Sequence, residues 1–300
     1  MKYLLLFFLT IPTLDAQNIK DTTTSKSPTY QYDLQGHRGA RGLAPENTLQ
    51  AFRKALEVGV NTLELDIVVS KDRQILVSHE PWMNADICLS AEGEPIEKEK
   101  EKTYNIYEMT YEEVKTFDCG SKYNDAFPEQ MLETAYKPLL KEVLSMVDSI
   151  SSNNGRKINY NIELKSLPEG DNMYHPQPEV FVKLVMDLLQ HEADLDRITL
   201  QSFDFRILQE LNKSYPEVRL AVLVYKIDLE SALDQLGFIP EIYSPYFPLV
   251  NKNLIKVVHS KGMEIIPWTV NEPEQMKSLL KLGVDGLITD YPDRAIRYRQ

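Results

Sequence analysis

Basic charge is scarce in this 300-residue chain: 33 Lys and Arg stand against 45 Asp and Glu, a formal net charge of −12. That balance argues against nucleic acid and against an anionic membrane surface as partners. An anionic ligand would need a locally positive site. Beyond residue 16 no apolar run is long enough to cross a bilayer, so no stable membrane insertion is expected. The first sixteen residues are different. Met1-Lys2 is basic, Tyr3 to Thr10 is apolar, and Ala16 is a small residue before Gln17. This is the pattern of a cleavable secretory signal peptide, with Leu14 a mediocre residue three positions before the cut. No cysteine follows the cut, so lipid anchoring is not indicated. Residues 17–31, Ser/Thr/Lys-rich over Asn18–Thr29, read as a flexible segment, and residues 32–300 as the folded part. The expected location is therefore periplasmic or secreted.

Cysteine is nearly absent, with Cys88 and Cys119 the two in the chain. In an oxidising compartment two cysteines flanking one irregular segment suggest a disulfide, and two free thiols are the alternative. No internal repeat is present beyond a β-α rhythm. Strand patterns cover Tyr32–Gly36, Thr62–Val68, Tyr160–Leu164, Arg197–Gln201, Arg219–Val224, Glu241–Tyr243, Glu264–Trp268 and Gly286–Thr289. Helical spacing covers Thr48–Val58, Pro138–Ile150, Pro178–Gln190, Phe205–Ser214, Leu229–Leu236, Asn253–Lys261 and Pro273–Leu282. Eight strands alternating with helices predict an α/β fold, a TIM (β/α)8 barrel. A doubly wound open sheet would want a Gly-rich dinucleotide turn after the first strand, and Gly36-His37-Arg38-Gly39 lacks that spacing. One stretch breaks the rhythm. Residues 80–136, with the charge run Glu92–Lys102 and both cysteines, exceed an ordinary loop and are expected to form a small insertion after the second strand.

The chemistry-bearing residues fall where a barrel keeps its catalytic groups, at the C-terminal ends of strands. Glu64 and Asp66 lie two apart on one strand and so face one side. Side by side, two carboxylates repel unless a cation or proton lies between them. Glu163 from a neighbouring strand adds a third oxygen donor, a set suited to Mg²⁺ or Ca²⁺. The alternative is a buried ion network in which these carboxylates pair with Arg38, Arg41 or Lys165. His37 and His79 invite acid–base work, with an unperturbed imidazole pKa of about 6.5. The alternative for either is a histidine that satisfies backbone groups. His175, His191 and His259 read as structural or exposed. Asn47 or Thr48 caps the following helix, Asp204 reads as a helix cap with Gln201 to Phe203 near a ligand, and Trp268 lines a pocket or fills the barrel top. Asp290-Tyr291-Pro292 reads as a turn.

His37-Arg38-Gly39, Pro45-Glu46-Asn47-Thr48, Glu64-x-Asp66, His79, Glu163-x-Lys165 and Gly286-Leu287-Ile288-Thr289-Asp290-x-Pro292 together resemble the glycerophosphodiester phosphodiesterase family, over about residues 34–296. The resemblance implies a TIM barrel and metal-dependent hydrolysis of glycerophosphodiesters to glycerol 3-phosphate and an alcohol. It also implies that residues 80–136 hold the family's insertion. It makes Glu64, Asp66 and Glu163 metal ligands, His37 and His79 the acid–base pair, and Arg38 and Lys165 phosphate-binding residues. This chain has His79-Glu80 where members of the family often have His-Asp, which leaves His79 intact. Two other functions stay open on the sequence. One is a phospholipase-like activity, such as that of a lysophospholipase D, and the other is a non-catalytic periplasmic phospho-ligand binder. Oligomeric state has no sequence signal.

Overall fold

The computed structural model describes residues 30–299, so the expected leader and nearly all of the flexible segment lie outside the described residues. The strands are β1 (Asp33–Gly36), β2 (Thr62–Val69), β3 (Ile75–Val77), β4 (Asn159–Leu164), β5 (Ile198–Ser202), β6 (Arg219–Val224), β7 (Ile242–Pro245), β8 (Glu264–Ile265) and β9 (Gly286–Thr289). Between and around them run α1 (Leu49–Val58), α2 (Tyr111–Val114), α3 (Leu140–Asn154), α4 (Pro178–Glu192), α5 (Phe205–Ser214), α6 (Leu229–Leu236), α7 (Lys252–Ser260), α8 (Pro273–Leu282) and α9 (Pro292–Ala295).

Eight strands pair in parallel in the order β8-β7-β6-β5-β4-β2-β1-β9. The ends of that order meet as well. Ile288 N donates to Pro267 O at 3.0 Å and Val270 N to Ile288 O at 2.9 Å, which closes the sheet into a TIM barrel. Strand β2 shows the reason for the architecture. Its Leu63, Leu65 and Ile67 join the main core, while Glu64 and Asp66 alternate onto the barrel interior. All eight of its residues are buried.

The structure has one strand more than the eight expected. Ile75–Val77 doubles back antiparallel on β2, pairing Val77 with Ile67 and Ile75 with Val69. This hairpin carries the chain straight to His79. Strand β8 is shorter than the expected Glu264–Trp268 because Pro267 has no N–H to offer the ladder. Helix α1 begins with Thr48 as its cap, whose hydroxyl accepts from Ala51 N. The last-turn glycine at 59 sits at φ 104°, a left-handed C-cap that favours glycine.

Residues 80–136 form no barrel layer. They build a small core of their own, with Met83, Ile106, Val114 and Phe117 packed on Val68 and Leu76 of the β2–β3 hairpin. Cys88 and Cys119 are joined in a disulfide inside it, spanning 31 residues. Part of the charge run Glu92–Lys102 is built in: Glu101 is buried and accepts from Ala85 N at 3.0 Å. The segment ends on Lys137, buried, whose Nζ donates to Ser78 Oγ at 2.9 Å.

Candidate active site

The turn after β1 is cramped, and its residues are ones that tolerate the crowding. A Cβ on Gly36 would run into the Gly39 carbonyl, and one on Gly39 (φ +86°) would lie 2.7 Å from the Ala51 backbone. Arg38 is itself left-handed at φ 49° and Asn47 at φ 55°. Non-glycine residues hold such conformations where surrounding contacts fix them. Here Arg38 N donates to Glu64 Oε2 (2.8 Å), and Asn47 Nδ2 donates to Asp66 Oδ2 (2.9 Å).

Glu64, Asp66 and Glu163 converge as their strand positions require. Strand pairing sets Asp66 beside Glu163 and Glu64 beside Asn161. One carboxylate oxygen from each of the three lies within 4.8 Å of the others, and all three residues are buried. Burial raises the Glu64 carboxyl well above its usual range, and its neighbours Asp66 and Glu163 push it further. Glu163 is raised by burial too, against the opposing pull of Lys165. Asp66 goes the other way. Burial is outweighed there by the positive charges of His79, Lys165 and Arg38. Three oxygens on one face, one of them too costly to ionise without a cation, make a donor set that fits a hard divalent ion.

The ion network weighed as the alternative is present alongside this set. Lys165 Nζ lies 2.7 Å from Glu163 Oε1 and 3.6 Å from Asp66 Oδ1. Arg38 pairs with Glu46 (2.7 Å) and reaches Asp66 through Nε (3.4 Å). Among the buried or half-buried charges around the cavity, Glu46, Glu64, Asp66, Glu80, Glu163 and Asp290 face Arg38, Arg41, Lys137 and Lys165. With all six carboxylates ionised and the imidazoles neutral, the fixed cations fall short by two charges, that of one divalent ion.

Both histidines have a carboxylate at Nδ1. His37 Nδ1 lies 2.6 Å from Asp290 Oδ1, and His79 Nδ1 lies 2.7 Å from Glu80 Oε1. Ionised carboxylates only accept, so in the neutral ring the proton sits on Nδ1 and the Nε2 lone pair is left open. His37 Nε2 is 4.0 Å from Glu64 Oε2. Burial pulls the His37 pKa down to about 4, although Asp290 opposes it. Asp290 stays below the usual carboxylate range because His37 and Arg41 outweigh its burial. Arg41 grips it with two bonds (2.9 and 3.1 Å) and Asn271 Nδ2 donates to it at 2.7 Å. Glu80 is likewise lowered, with the His79 hydrogen bond overcoming its burial.

A cavity of about 210 Å³ opens among these groups, lined by His37, Arg38, Glu64, His79, Glu163 and Trp268 together with Arg41, Gln201 and Phe203. Six of the eight expected site residues thus line one space, and Asp66 and Lys165 touch its walls through their ion pairs. Sequence reasoning assigned no site role to Asp290, Glu80 or Asn47, named Arg41 only in the alternative ion network, and put Gln201 near a ligand without its partner. Asp290 and Asn47 had local readings, as turn and cap, that hid their distant partners. Gln201 belongs to a polar column down the barrel axis. Its Nε2 donates to Glu64 Oε1 (2.9 Å), its Oε1 accepts from Asn161 Nδ2 (3.0 Å), and Asn161 Nδ2 also reaches Gln35 Oε1 (2.8 Å). Gln35 in turn donates to Asp33 at the far end (2.7 Å). Asp204 caps α5, accepting from Arg206 N at 3.1 Å, and contributes no side chain to the cavity. His175 is buried between Leu167 and Pro176, while His191 and His259 are exposed on helices.

A family model described as the glycerophosphoryl diester phosphodiesterase family matches residues 37–294. A glycerophosphodiester phosphodiesterase of Bacillus altitudinis is 32% identical over 269 residues, which cover 88% of this chain and 96% of that protein. A crystal structure from Silicibacter pomeroyi, provisionally named a glycerophosphoryl diester phosphodiesterase, is 29% identical with a TM-score of 0.80, covering 91% of this chain and 95% of its own. An Oleispira antarctica phosphodiesterase, solved in complex with the product sn-glycerol-3-phosphate, shares the fold at 20% identity and a TM-score of 0.69, with 88% and 94% of the two chains covered. By the span of the family match, the chain belongs to the glycerophosphoryl diester phosphodiesterase family.

Proposed function

We propose that this protein hydrolyses glycerophosphodiesters to sn-glycerol 3-phosphate and an alcohol, with His37 and His79 as the acid–base pair and Glu64, Asp66 and Glu163 as ligands of a Mg²⁺ or Ca²⁺ ion. The observation that carries the reading is the pairing of two histidines, each backed by a carboxylate at Nδ1, across a cavity floored by three buried carboxylates. A bound divalent ion supplies Lewis-acid polarisation of phosphoryl and hydroxyl oxygens in such a site.

The chain's own groups do the rest. Neutral at working pH with its Nε2 open, His37 takes the proton of the substrate's glycerol hydroxyl. The resulting alkoxide attacks phosphorus. His79, the more exposed ring at 30% against 12%, gives its Nε2 proton to the departing alcohol. Glu80 stabilises the imidazolium that step starts from. Water then opens the cyclic phosphate with the two rings in exchanged roles. Arg38 and Lys165 offset the negative charge that grows on the phosphoryl oxygens. Export outside the cytoplasm is part of the proposal, supported by the leader pattern of residues 1–16 and by the disulfide.

Product identity is the test. Glycerophosphocholine incubated with the purified protein should yield glycerol 3-phosphate and choline, detected by a coupled dehydrogenase assay. Phosphocholine and glycerol as products would mean the other P–O bond is cut and would overturn these roles of His37 and His79. His37→Ala and His79→Ala should each lose at least about 10²-fold in kcat/KM. Retained activity in either variant would remove that histidine from the reaction.

A further inference from the structure

A second cavity, about 690 Å³ in volume, opens directly beside the catalytic one and shares Glu163, Phe203 and Trp268 with it. Its walls are apolar and aromatic: Trp82, Leu167, Tyr174, Phe203, Tyr225 and Trp268. Trp82 and Tyr174 meet edge to face at 5.4 Å between centroids, as do Phe203 and Trp268. The mouth is apolar as well. Leu167 is 56% exposed and Tyr225 47%. Exposed apolar side chains gathered at the rim of a cavity mark a binding surface and not scatter.

The insertion gives this cavity Trp82 and Lys102, the loop after β4 gives Leu167 and Tyr174, and the segments that follow β5, β6 and β8 give Phe203, Tyr225 and Trp268. None of these side chains is needed to hold the triad or the histidines. A choline group would fill a small part of the volume. It would also find the Trp82 face taken, because Lys102 Nζ already sits 5.0 Å from that ring's centroid. Lys102, Ser166 and Glu169 also belong to the lining, but the wall it exposes is almost entirely apolar, which suits a sugar or nucleobase less well than an alkyl chain. An alkyl chain needs only what is there, and the continuity of the two spaces ties that chain to the molecule whose phosphate lies between the histidines.

We infer that this cavity is a chain-binding subsite, and that the preferred substrates are phosphodiesters bearing a medium or long alkyl or acyl chain. The inference deepens the proposed hydrolysis and rests on it for turnover, but not for binding. The chain has two chemical sources: an acyl group on the glycerol, as in a lysophospholipid, or an alkyl alcohol esterified to the phosphate.

The two tryptophans of the protein, Trp82 and Trp268, both line this cavity, so intrinsic fluorescence reports on it directly. Titration with n-alkyl phosphates from butyl to octyl, below their micelle concentrations, should shift the emission and tighten binding by up to about fourfold per added methylene. Leu167→Asp, at an exposed rim position, should flatten that dependence and leave glycerophosphocholine turnover unchanged. Monooctanoyl glycerophosphocholine and glycerophospho-octanol, each compared with glycerophosphocholine in kcat/KM, separate the sources. At least tenfold preference for the first assigns the chain to the glycerol side, and for the second to the leaving alcohol. Affinity independent of chain length, with glycerophosphocholine cleaved normally, would overturn the subsite. Chain-dependent binding with no substrate hydrolysed would overturn the hydrolase reading and leave the subsite standing.

Discussion

Asp290 holds His37 and is itself held by Arg41 and Asn271, so the Nε2 lone pair of the neutral ring is presented by a contact between residues 253 apart in sequence. Asp290→Asn keeps the shape but lets an amide donate to Nδ1, which would move the ring proton onto Nε2. That variant should lose roughly 10²-fold or more in kcat with the KM for glycerophosphocholine little changed. Equal loss in both constants would instead point to a collapsed site. His37 also gives a pH signature without substrate. Its folded pKa of about 4 lies below the ordinary value of about 6.5, so between those limits the unfolded chain binds the extra proton. Stability should therefore rise as pH climbs through that window and level off above it, by at most about 3 kcal/mol from this group. Urea unfolding in EDTA at pH 4.5 to 7 should show a shallower slope for His37→Gln than for the parent chain. At this scale the sequence was legible for groups whose chemistry has few other uses: His37, His79, Glu64, Asp66 and Glu163. It hid Asp290 and Asn47, because a turn before proline and a helix cap were sufficient local explanations. Gln201 could be placed near a ligand at its strand end, but its hydrogen bond to Glu64 across the barrel axis has no local pattern to read.

Among the elements, the hydrophobic rhythm carried most of the fold, and three of the helices, Phe205–Ser214, Leu229–Leu236 and Pro273–Leu282, have the bounds expected of them. Periodicity failed where pairing is decided by neighbours. Ile75–Val77 is only three residues long, and its strand character comes from lying antiparallel on β2. The interior of the insertion was equally unreadable, since its small core is made from isolated apolar residues such as Met83, Ile106 and Phe117 with no common period. Its disulfide is the element most exposed to test. A cross-link over 31 residues limits the unfolded chain by about 3 to 4 kcal/mol in the chain-entropy account. Cys88→Ser with Cys119→Ser should lower the thermal midpoint by several degrees. It should also raise hydrogen exchange over residues 80–136 before the barrel strands open. Uniform exchange across barrel and insertion would show that the two unfold as one unit.

For the whole molecule, the closed barrel explains how a strongly acidic protein holds an anionic substrate. The surplus of carboxylates is general, whereas Arg38, Arg41, Lys137 and Lys165 are gathered at one end of the barrel with His37 and His79. If the triad holds a metal as proposed, the same crowding would make folding and metal binding one equilibrium. A divalent ion that binds only the folded triad at a hundred times its Kd adds about 2.7 kcal/mol of stability. Ca²⁺ or Mg²⁺ should raise the thermal midpoint of an EDTA-treated sample by several degrees, and Glu64→Gln should abolish most of that gain. The barrel and its topology follow from β-α alternation that the chain displays openly. The charge balance at its mouth does not, since it depends on side chains from β1, β2, β4, the hairpin and the turn after β9 meeting in space.

The most direct measurement is release of glycerol 3-phosphate from glycerophosphocholine by the EDTA-treated protein, before and after Mg²⁺ or Ca²⁺ is restored, with Glu64→Gln alongside. A reaction that depends on an ion held by this triad predicts no release in EDTA, recovery with the restored ion, and little recovery in the variant. Full release in EDTA, or undiminished recovery in Glu64→Gln, would contradict the assignment of Glu64, Asp66 and Glu163 as the metal ligands on which the reaction depends.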